Sequence, residues 1–252
     1  MKPKEKYENF IKNEVLFESR CCGKFKIVEY INGNDVTVEF VETNYTTKTT
    51  SAAFRRGDIR DYWLPTVFGV GIMDIPNATK DPLKKVAHIK WASMLTRCYS
   101  LSYQNKQPTY RGCEISESFK RFSNFLEWYI SQVGFNQEGW HLDKDILGCG
   151  KVYSPQTCCI IPKEINAVFA TISSKHSTKN QFGISRRKNG RFAVYAQCGS
   201  TNKYLGIFDT LEEALKAYKH AKEAYVKELA NKWKDQIDPK VYDALMKYEV
   251  EI

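Results

Sequence analysis

None of the eight cysteines (21, 22, 98, 113, 149, 158, 159 and 198) falls in a Cys-x-x-Cys pair. They are scattered, with two adjacent pairs, which favours reduced and mostly buried thiols over a structural zinc site. No apolar run approaches the ~18 residues that span a bilayer. The Met-Lys-Pro-Lys-Glu-Lys start carries no signal-peptide core. These absences lead us to expect an intracellular protein with no membrane partner.

What is present is ordinary in bulk and uneven in distribution. With 252 residues, 42% hydrophobic and 13% aromatic, the chain is long enough for two or three small domains. The net charge is +9, and residues 174–234 hold thirteen Lys/Arg against five Asp/Glu, a surplus of eight that is nearly the whole excess. Charge gathered on one segment argues for a local polyanion-binding surface. A solvated basic face is the plainer alternative.

Within that segment the pattern predicts three strands and a helix. QFGISRRK and RFAVYAQC alternate apolar and polar residues across Asn189-Gly190, a hairpin signal because Asn-Gly tolerates φ > 0 at both turn positions. A second turn, Gly199 to Asn202, leads into KYLGIFD. Thr210 and Glu213 form a capping box. The helix beyond sets Leu211, Ala214, Leu215, Tyr218, Ala221, Tyr225 and Leu229 on one stripe. Arg186, Arg187, Lys188 and Arg191 cluster at the hairpin, with Tyr195, Gln197, Lys203 and Tyr204 on the neighbouring strands. A basic ribbon of this kind can enter a major groove, arginine bonding guanine edges and lysine neutralising phosphates.

The motifs Phe182-Gly183-Ile184, Ala193 to Gln197, Leu205-Gly206-Ile207-Phe208 and Glu212-Glu213-Ala214-Leu215-Lys216-Ala217-Tyr218 together resemble the ethylene-response-factor (Apetala-type) DNA-binding domain. That domain is also found in phage homing endonucleases. The resemblance implies that the sheet, and not the helix, meets double-stranded DNA. Phe192 stands where many relatives have tryptophan. No exposed-aromatic sheet motif is evident, which argues against an RNA-binding protein.

Toward the N-terminus, residues 1–12 read as a loose start or a short helix. GKFKIVEYI and DVTVEFVET alternate around Asn32-Gly33-Asn34-Asp35, a further hairpin. AAFRRGDIRDYWLP is expected to carry a strand centred on Arg55-Arg56-Gly57. The segment resembles a small Tudor- or SH3-like barrel, of a kind found before some phage HNH-type proteins. Lys24, Lys26, Arg55 and Arg56 are its candidate auxiliary DNA contacts, and a solvated face is the alternative. Met73 to Leu83 reads as a linker. PLKKVAHIKWASMLTRCYS and SESFKRFSNFLEWYISQV then read as two amphipathic helices. Val86, Ile89, Trp91, Met94 and Leu95 are the apolar positions of the first, and Phe119, Phe122, Leu126 and Tyr129 those of the second. His88 reads as structural or surface.

Trp140 to Asn166 reads as strand, turn, strand, helix. HLDKDIL and TCCIIP are expected to pair, and Pro162 to start a helix carrying Asn166. Such a hairpin plus helix can bind one divalent metal between a strand carboxylate and a helix Asn, with a nearby imidazole as general base. Together with Trp91 to Tyr99 the stretch resembles phage HNH-type homing endonucleases. Residue by residue, the resemblance implies metal ligation by Asp143 and Asn166. The next position after the Asp, usually the general-base histidine, is Lys144, which at an ordinary pKa near 10.4 is protonated and a poor base. His141 lies on the Asp143 face by period two and can stand in. Asp145 is expected on that face as a further ligand.

The expected architecture is α+β: a small β-barrel over 1–75, an HNH-like ββα finger with helices over 82–172, a three-stranded sheet plus helix over 178–234, and a C-terminal helix over 235–252. The expected function is sequence-specific binding of double-stranded DNA, with Mg²⁺ or a similar ion if the chain cleaves. The alternative is a catalytically inactive relative acting as a transcriptional repressor. The location would be the host cytoplasm if the chain is phage-encoded. Oligomeric state does not follow from these patterns.

Overall fold

In GKFKIVEYIN and DVTVEF the apolar residues largely alternate, and in the structure Phe25, Ile27, Val36, Val38 and Phe40 fall on one buried side of a sheet while Ile31 is exposed. The structure, a computed structural model, describes residues 3–148, 150–174, 183–199 and 201–251. Strands and helices are mixed as small sheets and separate helices, an α+β chain. It divides into two units, the first running to Ala78 and including Arg121–Ser123, the second comprising Thr79–Lys120 and the chain from Asn124 onward.

In the first unit, α1 (Pro3–Lys12) precedes β1 (Leu16–Ser19), β2 (Gly23–Asn32), β3 (Asp35–Phe40) and β4 (Thr46–Thr49), joined antiparallel in the order β1-β2-β3-β4. Phe25, Ile27, Val36, Val38 and Phe40 point inward to one core with Tyr7 and Phe54. The expected barrel is not formed. The sheet stays open because β1 and β4 do not pair, and aromatic side chains from the flanking helices cover its apolar face. The strand expected around Arg55-Arg56-Gly57 is instead the last turn of α2 (Ser51–Arg56). Thr50 caps that helix by accepting from the Ala53 amide, and Gly57 ends it in the left-handed region at φ 69°, where a glycine carries no Cβ penalty. Two short strands, β5 (Pro65–Val67) and β6 (Gly71–Ile72), complete the unit.

The second unit opens with α3 (Pro82–Tyr99), capped by Asp81, whose carboxylate accepts from the Leu83 and Lys84 amides. Trp91, Met94 and Leu95 are buried, while Val86 and Ile89 of the expected stripe stay exposed. After α4 (Leu101–Lys106) and β7 (Glu114–Ile115), the expected single helix is divided into α5 (Glu117–Lys120) and α6 (Phe122–Ile130). The break falls at Arg121, whose backbone bridges to Ile72. Phe119, Phe122, Leu126 and Tyr129 are buried as core residues.

The strands β8 (Trp140–Asp143) and β10 (Cys159–Pro162) pair antiparallel as expected, Asp143 opposite Cys159 and His141 opposite Ile161. Between them β9 (Val152–Tyr153) pairs in parallel with β7. Then α7 (Lys163–Ser174) follows directly. The C-terminal sheet is β11 (Ile184–Arg186), β12 (Phe192–Cys198) and β13 (Thr201–Phe208), in that order and antiparallel. The capping box of Thr210 and Glu213 is formed at the start of α8 (Leu211–Trp233). As the tail turns back, Asp238 caps α9 (Pro239–Met246), whose Val241 and Leu245 pack in a core with α8.

The expected linker 175–180 and Phe182 lie outside the described residues, as does Cys149. The other cysteines are free, and Cys22, Cys98, Cys113, Cys158 and Cys159 are buried.

Gly57 gives a direct test of the first unit. A Cβ there would lie 2.9 Å from the Glu18 carbonyl, whereas one at Gly69, also left-handed at φ +70°, would meet nothing within 4 Å. Gly57→Ala is expected to cost more than the roughly 1–2 kcal/mol of a left-handed L-residue, and Gly69→Ala only about that amount. Urea unfolding of the two variants gives the order, and a larger loss for Gly69→Ala would contradict it.

Candidate active site and nucleic-acid interface

Two residues seven apart, Lys90 and Arg97, share one face of α3 and point toward the β8 hairpin. Lys90 Nζ donates to the Trp140 carbonyl at 2.7 Å. Arg97 Nη1 approaches the Tyr153 hydroxyl at 3.5 Å, and its guanidinium carbon lies 5.5 Å from the Tyr110 ring centre. Opposite them stand His141 and Asp143 of β8 and Asn166 of α7. A cavity of about 470 Å³ joins these groups, lined among others by Arg97, Tyr110, His141, Asp143, Lys144 and Asn166. The sequence separates His141 from Asn166 by a full hairpin, and the β8–β10 register brings them together.

Asp143 is buried, and its Oδ1 accepts from the Asp145 and Ile146 amides, both at 2.9 Å. Burial pushes its carboxyl up to about 6; the neighbouring Asp145 charge adds to this, and the two amides and Lys144 oppose it. His141 is held below the ordinary histidine value by partial burial and by the charges of Lys90, Lys163 and Arg97, so its ring is neutral at physiological pH. Its Nδ1 lies 3.4 Å from Asn166 Nδ2. An amide donor there puts the ring proton on Nε2. The reversed amide, with Oδ1 toward the ring, puts it on Nδ1 and leaves the Nε2 lone pair free.

Lys144 and Asp145 are placed differently from expectation. Strand β8 ends at Asp143, so period two does not extend to Asp145. The Asp145 carboxylate turns onto Lys144, whose Nζ it meets at 2.7 Å. Lys144 is 7% exposed, with its ammonium over the rings of Tyr110 and Tyr153 at 5.6 and 5.7 Å. Burial opposes that charge, but the hydrogen bond and charge of Asp145 outweigh it and hold the amine above its ordinary value. Lys144 is a fixed cation here and not a base.

Hard divalent cations take oxygen ligands, and magnesium is commonly held by one or two carboxylates plus substrate phosphates. Asp143 fits that role. Among the described residues no group donates to its Oδ2, and its buried charge lacks a full counter-ion. The Asn166 carbonyl oxygen, which lines the same cavity, would be the second donor to such an ion. Among the described residues no group of three or more His, Cys, Asp or Glu converges as a closed metal cluster.

The basic sheet sorts into a tip and a face. Arg187 and Lys188 are exposed in the β11–β12 loop, which closes with Arg187 N donating to Arg191 O at 2.8 Å and Gly190 N donating to Arg187 O at 3.0 Å. Only Gly190 of the Asn-Gly pair has positive φ, 85°, so this is a three-residue loop ending in a left-handed glycine and not a two-residue turn. Arg186 is exposed at the strand end, and Arg191 Nε is paired with Asp209 at 2.7 Å. On the face away from α8, Tyr195 and Tyr204 stand opposite each other with ring centres 5.1 Å apart, 40% and 51% exposed. Gln197 pairs with Asn202 beside them. The sheet therefore does carry an exposed aromatic pair, which alternation alone did not reveal. Lys203 pairs with the buried Ala196 and so lies on the α8 side, away from the tyrosines. Gly183 is required at the sheet edge: at φ +63°, a Cβ there would meet the Tyr195 carbonyl oxygen at 2.3 Å.

In the first unit Arg56 is engaged by Asp58 at 2.7 Å, and Arg55 Nε donates to the Ser51 carbonyl. Lys26 lies 3.3 Å from Glu39, while Lys24 is exposed. Of these basic residues, Arg56 and Lys26 are paired with carboxylates.

The residues that sequence reasoning missed are Arg97, Lys90, Tyr110 and Tyr153. The available signal was a pair of cations seven apart on the flank of a buried helix stripe. Comparison with protein-family models, with curated proteins and with solved structures found no match to this chain.

The Lys144–Asp145 pair is asymmetric, with side chains 8% and 48% exposed. Asp145→Asn strands a buried ammonium and is expected to cost about 3 kcal/mol. Lys144→Met leaves a carboxylate that water still reaches, and is expected to cost less. Denaturant unfolding of both variants measures the difference, and the reverse order would show that Asp145 does not hold Lys144.

Proposed function

We propose that this chain binds double-stranded DNA through its C-terminal sheet and hydrolyses a phosphodiester in the cavity beside His141. The observation that carries the reading is the convergence of His141, Asp143 and Asn166 on one cavity that also holds the cations of Arg97 and Lys144. The hairpin plus helix resembles an HNH finger, and the three-stranded sheet with its helix resembles an Apetala-type domain. Such a substrate sets an intracellular location.

Each group has a role that its surroundings support. Asp143 Oδ2 and the Asn166 carbonyl oxygen would hold a divalent cation. When bound, that ion polarises the phosphodiester and eases deprotonation of the attacking water. His141, neutral and with Nε2 free in one tautomer, accepts the proton of that water. Lys144, fixed by Asp145, supplies positive potential to the developing phosphorane charge. At the sheet tip, Arg187 and Lys188 would meet phosphates and the exposed Arg186 a base edge. The exposed Tyr195 and Tyr204 give the face apolar contact area.

One observation favours a second reading, a transcriptional repressor that binds without cutting. Lys144 occupies the position where HNH relatives carry the general-base histidine, and it is buried and ion-paired.

Supercoiled DNA incubated with the protein in magnesium chloride or in EDTA, with a native gel on the same samples, separates these readings. The wild type is expected to nick only with the metal. Asp143→Ala and His141→Ala are expected to shift the DNA without nicking it. Arg187→Ala and Lys188→Ala should each lower the salt dependence of binding by about one counter-ion. Nicking by Asp143→Ala at the wild-type rate sinks the assigned site. A discrete shift with no nicking supports the repressor, and no shift at low salt removes both.

A further inference from the structure

Arg97 is a partly buried cation that forms no ion pair among the described residues. Its Nε is sealed from solvent with no hydrogen-bond partner. Its Nη1 reaches the Tyr153 hydroxyl only at the long distance of 3.5 Å. Neither carboxylate of the cavity pairs with it: Asp145 turns onto Lys144, and Asp143 directs Oδ1 to two backbone amides. Tyr110 and Tyr153 do not supply the missing charge, because burial raises both phenols above their ordinary values and keeps them neutral. A guanidinium offers five donors in a planar fork that matches the oxygens of a phosphate. Taking such a group out of water without a partner is unfavourable, and an anion entering the cavity relieves that cost.

We infer that the cavity is an anion site in which Arg97 grips the non-bridging oxygens of a nucleic-acid phosphodiester. The identity of the anion rests on the proposed DNA reading, whereas the need for an anion rests on Arg97 itself. Lys144, held by Asp145 in the same cavity, adds a second positive charge at fixed position. Tyr110 packs against the planar fork, its ring centre 5.5 Å from the guanidinium carbon. Arg97 is thus a substrate-binding residue that acts without the divalent ion and without cleavage.

The test uses the full chain in EDTA with thymidine 5′-(4-nitrophenyl phosphate) as a phosphodiester probe and inorganic phosphate as comparator, followed by calorimetry. The wild type is expected to bind the diester. Arg97→Lys is expected to bind it at least tenfold more weakly, because the fork is lost, and Arg97→Met not measurably. Unliganded Arg97→Met is expected to unfold at the same denaturant midpoint as wild type or a higher one, as removal of an uncompensated charge requires. Equal diester affinity in wild type and Arg97→Lys overturns the inference, and that comparison holds even if the methionine variant does not fold. Binding of phosphate without the diester also overturns it, as does a wild type that binds neither. Arg97-dependent diester binding without any nicking would leave this site standing and refute hydrolysis. Nicking with Arg97-independent diester binding would do the opposite.

Discussion

The second unit depends on the burial of one long helix in two cores at once. Near its start, α8 places Ala214 and Tyr218 against Ile184, Val194 and Ala196 of the C-terminal sheet. Further along, Val226, Leu229 and Ala230 pack with Cys159, Ile161, Ile165 and Val168 of the β10 strand and α7. Each fully buried Val or Leu contributes about 1.5–3 kcal/mol, so both halves are held firmly. Between them the buried Lys222 directs Nζ to the Gln197 carbonyl. At the far end, Glu164 of α7 accepts from Lys232 Nζ and Trp233 Nε1, and the Lys232 hydrogen bond holds its carboxyl below the ordinary value. The helix therefore carries the basic sheet and the site hairpin on one rigid rod.

This arrangement links electrostatics to position. The sheet tip presents Arg187 and Lys188 to solvent, where long-range attraction to a polyanion is strongest. The cavity holds its cations inward, with Arg97 and Lys144 packed on tyrosine rings. Burial, helped by the charges of Lys90, Lys163 and Arg97, holds the His141 ring below its ordinary value, and burial raises the Asp143 carboxyl. Under the proposed function, a nucleic-acid strand and a divalent ion would answer the inward cations and the buried carboxyl together. The tip and the cavity differ in kind: one is screened by salt, the other is sheltered from it.

Much of this was legible in the sequence, and for identifiable reasons. Local rules succeeded wherever a few adjacent residues decide the outcome. Examples are the Thr210–Glu213 box, the C-terminal helix, the HLD/TCCIIP pairing and the alternation of GKFKIVEYIN. They failed where a flanking cap, the end of a strand or a neighbour distant in sequence decides. AAFRRG alternates weakly enough to read as a strand, yet Thr50 and Gly57 cap it as a helix. The sheet of the first unit was expected to close, but strand count and alternation do not say whether the edges meet. Asp145 was assigned by period two, which holds only while the strand continues. Arg97 was passed over because its burial depends on Tyr110 and Tyr153, which lie in separate segments.

The most direct measurement of the joint claim, that one molecule holds DNA by its sheet and acts on a phosphodiester in its cavity, is a paired map on one end-labelled duplex. Hydroxyl-radical footprinting in EDTA gives the protected segment, and strand breaks after adding magnesium give the cut positions. Breaks at a fixed offset from the protected segment are expected, since α8 fixes sheet and cavity together. Breaks scattered without relation to the footprint, or a clear footprint with no breaks, would contradict the claim.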